Sequence, residues 1–245
     1  MYHDVYDKNY MDSGFINSSA IIYKIKINNF ETQVKLIKNA LKKKFIPLNY
    51  VQFTFDDGGE SCYTNIAPIL EKYGFKGYFF IITDLIEKKG FLTINQIQKL
   101  DKKGHIIGAH SHTHPLGMNK LSLNELKFEW EKSYKILSEI LNKKILYASI
   151  PGGSYSKDVI KSMYDCGFRR IYTSNPNEKI RVFHESLIFG RFGIKKSMSN
   201  EFVKNIVVKN RIRIIIKIRK KTLKIIKFIL GDLYFSFRNK ILNNK

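Results

Sequence analysis

Three of the six histidines in this 245-residue chain fall within five residues: His110, His112 and His114 of "GAHSHTHP". His110 and His114 are spaced so that two imidazoles converge on one cation if the segment turns as a helix does. His112 lies between them and points elsewhere in such a turn, either to solvent or in support of the ligands. Two imidazoles leave a divalent ion short of ligands. A carboxylate from another loop would complete a set of two imidazoles and one acid with open positions, which suits catalytic zinc and related ions. The natural source is "FTFDDGG", where Asp56 and Asp57 follow an apolar run and precede Gly58–Gly59. Adjacent acids before glycine are also ordinary turn chemistry. At the end of a strand, however, one acid can bind a metal while the other stays free as a general base. A third stretch, "PGGS" after "ILYASI", is a turn on local grounds.

The elements that must position these residues alternate between strand and helix. "YVQFTF" (50–55), "GYFFII" (77–82), "HIIGA" (105–109), "ILYASI" (145–150), "RRIYTS" (169–174) and "LIFGRFGI" (187–194) have strand composition and length. Between them lie helical patterns. "CYTNIAPILEKYGF" places Ile66, Ile69, Leu70 and Tyr73 at helical spacing. "TINQIQKLDKKG" carries a capping box in Thr93 and Gln96 and a glycine stop at Gly104. The long helix from Leu121 opens on Ser122 and Glu125 and turns Leu126, Trp130, Ile136, Leu137 and Ile140 toward a core. A further helix opens on Ser156. This rhythm predicts a parallel α/β sheet or an α/β barrel, whose chemistry gathers at the C-terminal strand ends. "DDGG", "HSHTHP" and "PGGS" each follow a predicted strand.

"TFDDG" and "HSHTHP", in this order and about fifty residues apart, resemble the first two motifs of the polysaccharide deacetylase family. The resemblance runs from about Tyr2, through "YHDV", to about Ile194. It implies an α/β fold, a distorted and incomplete (β/α) barrel, and hydrolysis of an N-acetyl group on a sugar or polysaccharide precursor. By the resemblance Asp56 is the general base, and Asp57, His110 and His114 hold a divalent metal, zinc first among candidates. "ASIPGGSYS" resembles the third motif, which makes the Gly152 N–H the oxyanion donor and Pro151 a substrate contact. Ser149 stands where that motif often has arginine. Arg191 in "FGRFGI" is the candidate to supply the charge, and a candidate substrate contact with Pro151. The family's late Leu-x-His motif is not visible, and His184 is a weak substitute for its histidine. The same site could serve a deformylase or another non-peptide amide hydrolase, and a degenerate barrel could bind glycan or membrane without turnover. "SIPGGSYS", "DCGF" and "YTSNP" with a basic C-terminal segment look like the subgroup of surface-polysaccharide biosynthesis.

Composition adds a second theme. Hydrophobic residues make up 44% and charged residues 26%, so the chain reads as globular. Lys plus Arg exceed Asp plus Glu by 43 − 21 = 22, and residues 201–245 alone carry 13 basic and 2 acidic residues. The expected organisation is a barrel over 1–200 and a basic amphipathic helical tail over 201–245. In the tail, nine Lys or Arg fall between Lys209 and Lys227 with no acid among them. Ile212, Ile215, Ile216, Leu223, Ile226, Leu230 and Leu233 form one broad stripe. Residues 209–233 therefore either dock on an anionic membrane surface or pack on the barrel with a solvated basic face. Nucleic acid is not favoured, because no recognised fold or aromatic platform accompanies the charge. Cys62 and Cys166 form no disulfide framework and are read as small buried residues. The N-terminus lacks a secretory pattern and no run is long enough for a span, so a cytoplasmic location is expected, with the inner membrane surface as the alternative if the tail docks there.

Overall fold

The computed structural model describes residues 1–153 and 156–243, with side chains in the last helix as far as 223 and at 225, 226 and 229. Its strands are β1 (Val5–Tyr6), β2 (Ile25–Lys26), β3 (Phe53–Phe55), β4 (Gly77–Ile81), β5 (Ile106–Ala109), β6 (Tyr147–Ser149), β7 (Arg170–Tyr172), β8 (Arg181–Phe183) and β9 (Ser186–Phe189). The α-helices are α1 (Ser18–Ile21), α2 (Ile27–Lys43), α3 (Ala67–Lys72), α4 (Ile94–Lys102), α5 (Leu123–Leu141), α6 (Lys157–Asp165), α7 (Asn200–Val208) and α8 (Asn210–Asn243). The main sheet runs β3-β4-β5-β6-β7-β9-β8. All its pairings are parallel except the β8–β9 hairpin.

The sheet curls into an incomplete barrel flanked by helices, as the resemblance implies. Its two sides approach each other across Met1–Tyr2. Tyr2 N donates to Thr54 O at 2.8 Å and Tyr2 O accepts from Asp56 N at 3.1 Å. On the other side the Met1 amine donates to Phe192 O at 3.0 Å, and Met1 O accepts from Ile194 N at 2.9 Å. Parallel strands covered on both faces read as continuous apolar runs, and Phe79, Phe80 and Ile81 of β4 are all buried.

The capping boxes at Thr93 and Ser122 form as the sequence predicts, each with its third-residue side chain bonded back to the cap. Two predicted elements are shorter. Of "YVQFTF" only Phe53–Phe55 is strand, because Leu48–Tyr50 winds into a 3-10 turn. The helix predicted from Cys62 opens as a wide π-turn over Cys62–Ile66 and becomes α3 only at Ala67, next to a proline that has no N–H to give the ladder.

The chain divides into two compact units, Met1–Val208 and Lys209–Lys245. The division lies beyond the 200/201 boundary drawn from the sequence, because α7 packs on α2 and buries Val203 and Ile206. The second unit is the helix α8. Of its predicted stripe, the side chains of Leu230 and Leu233 lie outside the described residues, as do Ser154 and Tyr155 of the third motif.

Candidate active site

Because β3, β5, β6 and β9 run parallel within the sheet, their C-terminal ends share one rim. Asp56 and Asp57 follow β3, His110 follows β5, Ile150–Pro151 follow β6, and Gly190–Arg191 follow β9. Asp57, His110 and His114 offer one ligand atom each, all within 4.8 Å of one another. Asp57 Oδ1 lies 3.5 Å from His110 Nε2 and 3.7 Å from His114 Nε2. His110 Nδ1 sits 2.9 Å from the carbonyl of Ser149. A carbonyl only accepts, so Nδ1 carries the proton and Nε2 turns its lone pair toward Asp57.

Burial pushes both imidazoles down, His110 to about 4 and His114, also repelled by His110, to about 4. Both are neutral at pH 7, as ligands must be. Burial, then the charges of Asp56 and Asp4, push the Asp57 carboxyl well above its usual range. A buried acid that resists ionisation until a cation compensates it, opposite two neutral imidazoles, is a donor set that fits a divalent ion.

The backbone is distorted where these ligands stand. Asp57, Ser111 and His114 have φ of 77°, 61° and 60°. Left-handed non-glycine residues cost about 1 kcal/mol or more each and cluster at functional sites. The strain is held by fixed neighbours. A Cβ on Gly59 would stand 2.1 Å from Asp4 Oδ1, so the turn after Asp57 needs glycine there. Buried Asp4 accepts from Ser13 Oγ at 2.6 Å and Ser61 Oγ at 2.8 Å, which ties the N-terminal segment to this turn.

The histidine loop has its own anchor, which no local motif marks. Buried Glu129 of α5 accepts from His112 N at 2.9 Å, Thr113 N at 2.8 Å and Thr113 Oγ1 at 2.6 Å. Its place on the core-facing stripe of α5, beside Trp130, was the available signal. His112 itself turns away from the ligands and bonds Thr83 Oγ1 through Nδ1 at 2.9 Å. Glu129→Ala leaves two backbone N–H groups without their acceptor and frees the loop. Zinc affinity is expected to fall by about 10–100-fold, read by titration against a competing chelator, with the circular dichroism spectrum retained.

Asp56 is buried and held by Arg191 in a two-point pair, Nη1 to Oδ1 at 2.7 Å and Nη2 to Oδ2 at 2.8 Å. Burial alone would raise this carboxyl, but the Arg191 charge and, after it, His110 hold it well below the usual carboxylate range. Asp56 Oδ2 lies 3.9 Å from His110 Nε2, so the ionised acid stands beside the candidate metal position without belonging to the ligand cluster.

Arg191 supplies charge at the place where the third motif has Ser149: its Nη2 also donates to Ser149 Oγ at 2.6 Å and its Nε to Thr173 O at 3.1 Å. The expectation that Arg191 touches substrate does not fit its setting. It is 4% exposed, its guanidinium is spent on Asp56, Ser149 and Thr173, and its face lies over Phe80 and Tyr172. Glycine at 190 lets the 175–177 segment pack against the end of β9, since a Cβ there would meet the carbonyls of Asn175 and Asn177 at 2.5 Å. Pro151, also expected as a substrate contact, is buried in the turn after β6, whereas Gly152 is exposed with φ 60°.

His184 is exposed in the β8–β9 turn, stacked on Tyr164, ahead of β9 and so at the opposite end of the strands from the site. A histidine that the backbone register brings nearer the site is His3. Tyr2 bridges Phe55 in parallel, which sets His3 level with Asp56. Its Nδ1 is buried with no hydrogen-bond partner among the described residues. Burial lowers its pKa, opposed by the charges of Asp56 and Asp4. "YHDV" was the only sequence trace of this residue.

Residues 46–171, half of the chain, match the family described as polysaccharide deacetylase. The chain is 31% identical over 128 residues to the peptidoglycan-N-acetylmuramic acid deacetylase PdaA of Bacillus subtilis, covering 51% of this chain and 46% of that protein. It is 30% identical over 167 residues to the poly-beta-1,6-N-acetyl-D-glucosamine N-deacetylase of Staphylococcus aureus, covering 60% of this chain and 57% of that one. The chain thus spans about half the length of the curated relatives it matches. Among solved structures, the Streptococcus pyogenes deacetylase PplD in complex with acetate shares the fold with a TM-score of 0.65 at 23% identity, over 82% of this chain and 92% of that one. A polysaccharide deacetylase from Bacillus cereus does so with a TM-score of 0.68 at 19% identity, over 84% and 67%.

Proposed function

This chain belongs to the polysaccharide deacetylase family, and from that premise we propose that it is a metal-dependent hydrolase that removes the N-acetyl group from an amino sugar of a polysaccharide or its precursor. The observation that carries the reading is the convergence of Asp57, His110 and His114 beside a separate, ionised Asp56. The relatives named for deacetylating N-acetylmuramic acid and poly-N-acetylglucosamine support the substrate class.

Asp57, His110 and His114 would hold the ion, zinc first among candidates. Bound there, a divalent cation would supply Lewis acidity toward the acyl carbonyl and a neighbouring water. The residues of the chain do the rest. Asp56, kept ionised and oriented by Arg191, takes a proton from the attacking water. The N–H of Gly152, in its exposed turn, is the donor assigned to the oxyanion. His3 is assigned to deliver the proton to the departing amine, in place of the histidine of the missing late motif. Its burial makes the imidazolium a strong acid once formed.

The test is acetate release from N-acetylglucosamine oligomers and from acetylated peptidoglycan fragments. Dipicolinate treatment is expected to lower the rate by at least about tenfold, and stoichiometric zinc to restore it. Acetate release that survives both Asp57→Ala and His114→Ala overturns the reading. Parallel N-formyl substrates separate deacetylation from deformylation.

A further inference from the structure

We infer that α8 is a docking surface for an anionic lipid membrane, lying flat on it with one apolar arc inserted among the lipids. At about 100° per residue, Ile214, Ile215, Ile218, Ile225 and Ile229 fall within an arc about 100° wide. All five are exposed, from 44% at Ile214 to 72% at Ile229. Exposed isoleucine repeated over four turns of one helix is surface that water does not favour, and contiguous apolar patches of this kind mark interaction sites. The adjoining arc holds Arg213, Lys217, Lys220 and Lys221, and the sequence continues it with Lys224 and Lys227. Arg219 lies just beyond the other edge of the apolar arc, and Arg211 falls within that arc at the first turn of the helix. No acid interrupts residues 209–227.

Charge complementarity names the occupant. A protein partner or a second copy would need a matching acidic face, and the chain itself is net +22. A nucleic acid would pair with the lysines and leave the isoleucines in water. A sheet of anionic headgroups over hydrocarbon satisfies both arcs at once: the apolar face sinks to the acyl boundary and the long basic side chains reach the phosphates. Among the described residues no helix is long and apolar enough to cross a membrane. The inference does not depend on the proposed reaction.

The experiment is co-sedimentation of the full chain with vesicles of phosphatidylcholine alone and with 30 to 40 mole per cent, roughly, phosphatidylglycerol at physiological salt. Partitioning is expected to rise at least about tenfold with the anionic lipid. The exposed triple variant Ile214→Ser, Ile218→Ser, Ile225→Ser is expected to lose about tenfold or more. Lys217→Gln, Lys220→Gln, Lys221→Gln should abolish the preference for phosphatidylglycerol. Both variants are expected to keep the circular dichroism spectrum of the full chain. Undiminished vesicle binding by the serine variant overturns the inference. So does binding to duplex DNA or concentration-dependent dimerisation in the absence of any vesicle binding.

Discussion

Asp56→Asn is expected to lower the rate of acetate release by about 10³-fold, within the 10²–10⁴ range typical of a lost general base, while zinc still binds at one equivalent. The separation follows from geometry. The cluster that fits a metal is Asp57 with His110 and His114. Asp56 spends both oxygens on Arg191 yet stands 3.9 Å from His110 Nε2, where a reacting water could be deprotonated. Asparagine keeps the size of the side chain and an acceptor for Arg191 but cannot take a proton. Asp57→Asn should behave differently, losing zinc and rate together. The two are distinguished by metal content after gel filtration beside steady-state kinetics. If Asp56→Asn loses zinc as completely as Asp57→Asn does, the division of labour between the two acids is wrong.

The second large effect is expected from Arg191→Leu. Removing one partner of a buried ion pair leaves the other charge uncompensated and costs about 3–5 kcal/mol, or roughly 10 °C in unfolding temperature for a domain of this size. The pH dependence carries the diagnostic sign. In the wild type the folded-state pKa of Asp56 lies below its unfolded value of about 3.9. Its pairing therefore stabilises the fold fully above that value, and the contribution is lost as pH falls through the folded-state pKa.

In the variant, burial acts without the guanidinium and the folded-state pKa rises above the unfolded one. The sign then reverses: the difference in unfolding temperature between wild type and variant should widen as pH rises from about 4 toward neutrality. The acid limb of the rate profile should move to higher pH for the same reason. Arg191→Lys keeps a charge but not the two-point geometry, and is expected to fall between the two in both measurements. A variant whose stability difference is independent of pH would show that Arg191 acts by packing over Phe80 and Tyr172 rather than through Asp56.

Sequence spacing and tertiary placement contributed different parts of this site. "FTFDDGG" and "GAHSHTHP" were legible because each is local: an apolar strand delivers its next residues to the strand end, and imidazoles four apart lie near each other in any turn. The capping boxes at Thr93 and Ser122 were legible for the same reason, since a cap and its third neighbour define a helix start within four residues. α2 carries no such mark. Its N-cap position is Lys26, without a side-chain cap, and only the burial of Phe30, Val34, Ile37 and Leu41 fixes it as a helix of the fold.

By itself the sequence determined the α/β rhythm, the three motifs at strand ends and the basic, apolar-striped tail, all of which depend on neighbours within a few residues. The tertiary structure decided the partners that meet across long separations: Arg191 on Asp56, Ser149 beneath Arg191 and His110, Glu129 under the histidine loop, and His3 level with Asp56. A charge pair 135 residues apart leaves no trace in local spacing. It exists because parallel strands bring their C-terminal ends to one rim, where a buried carboxylate is tolerated only if the fold supplies a guanidinium beside it.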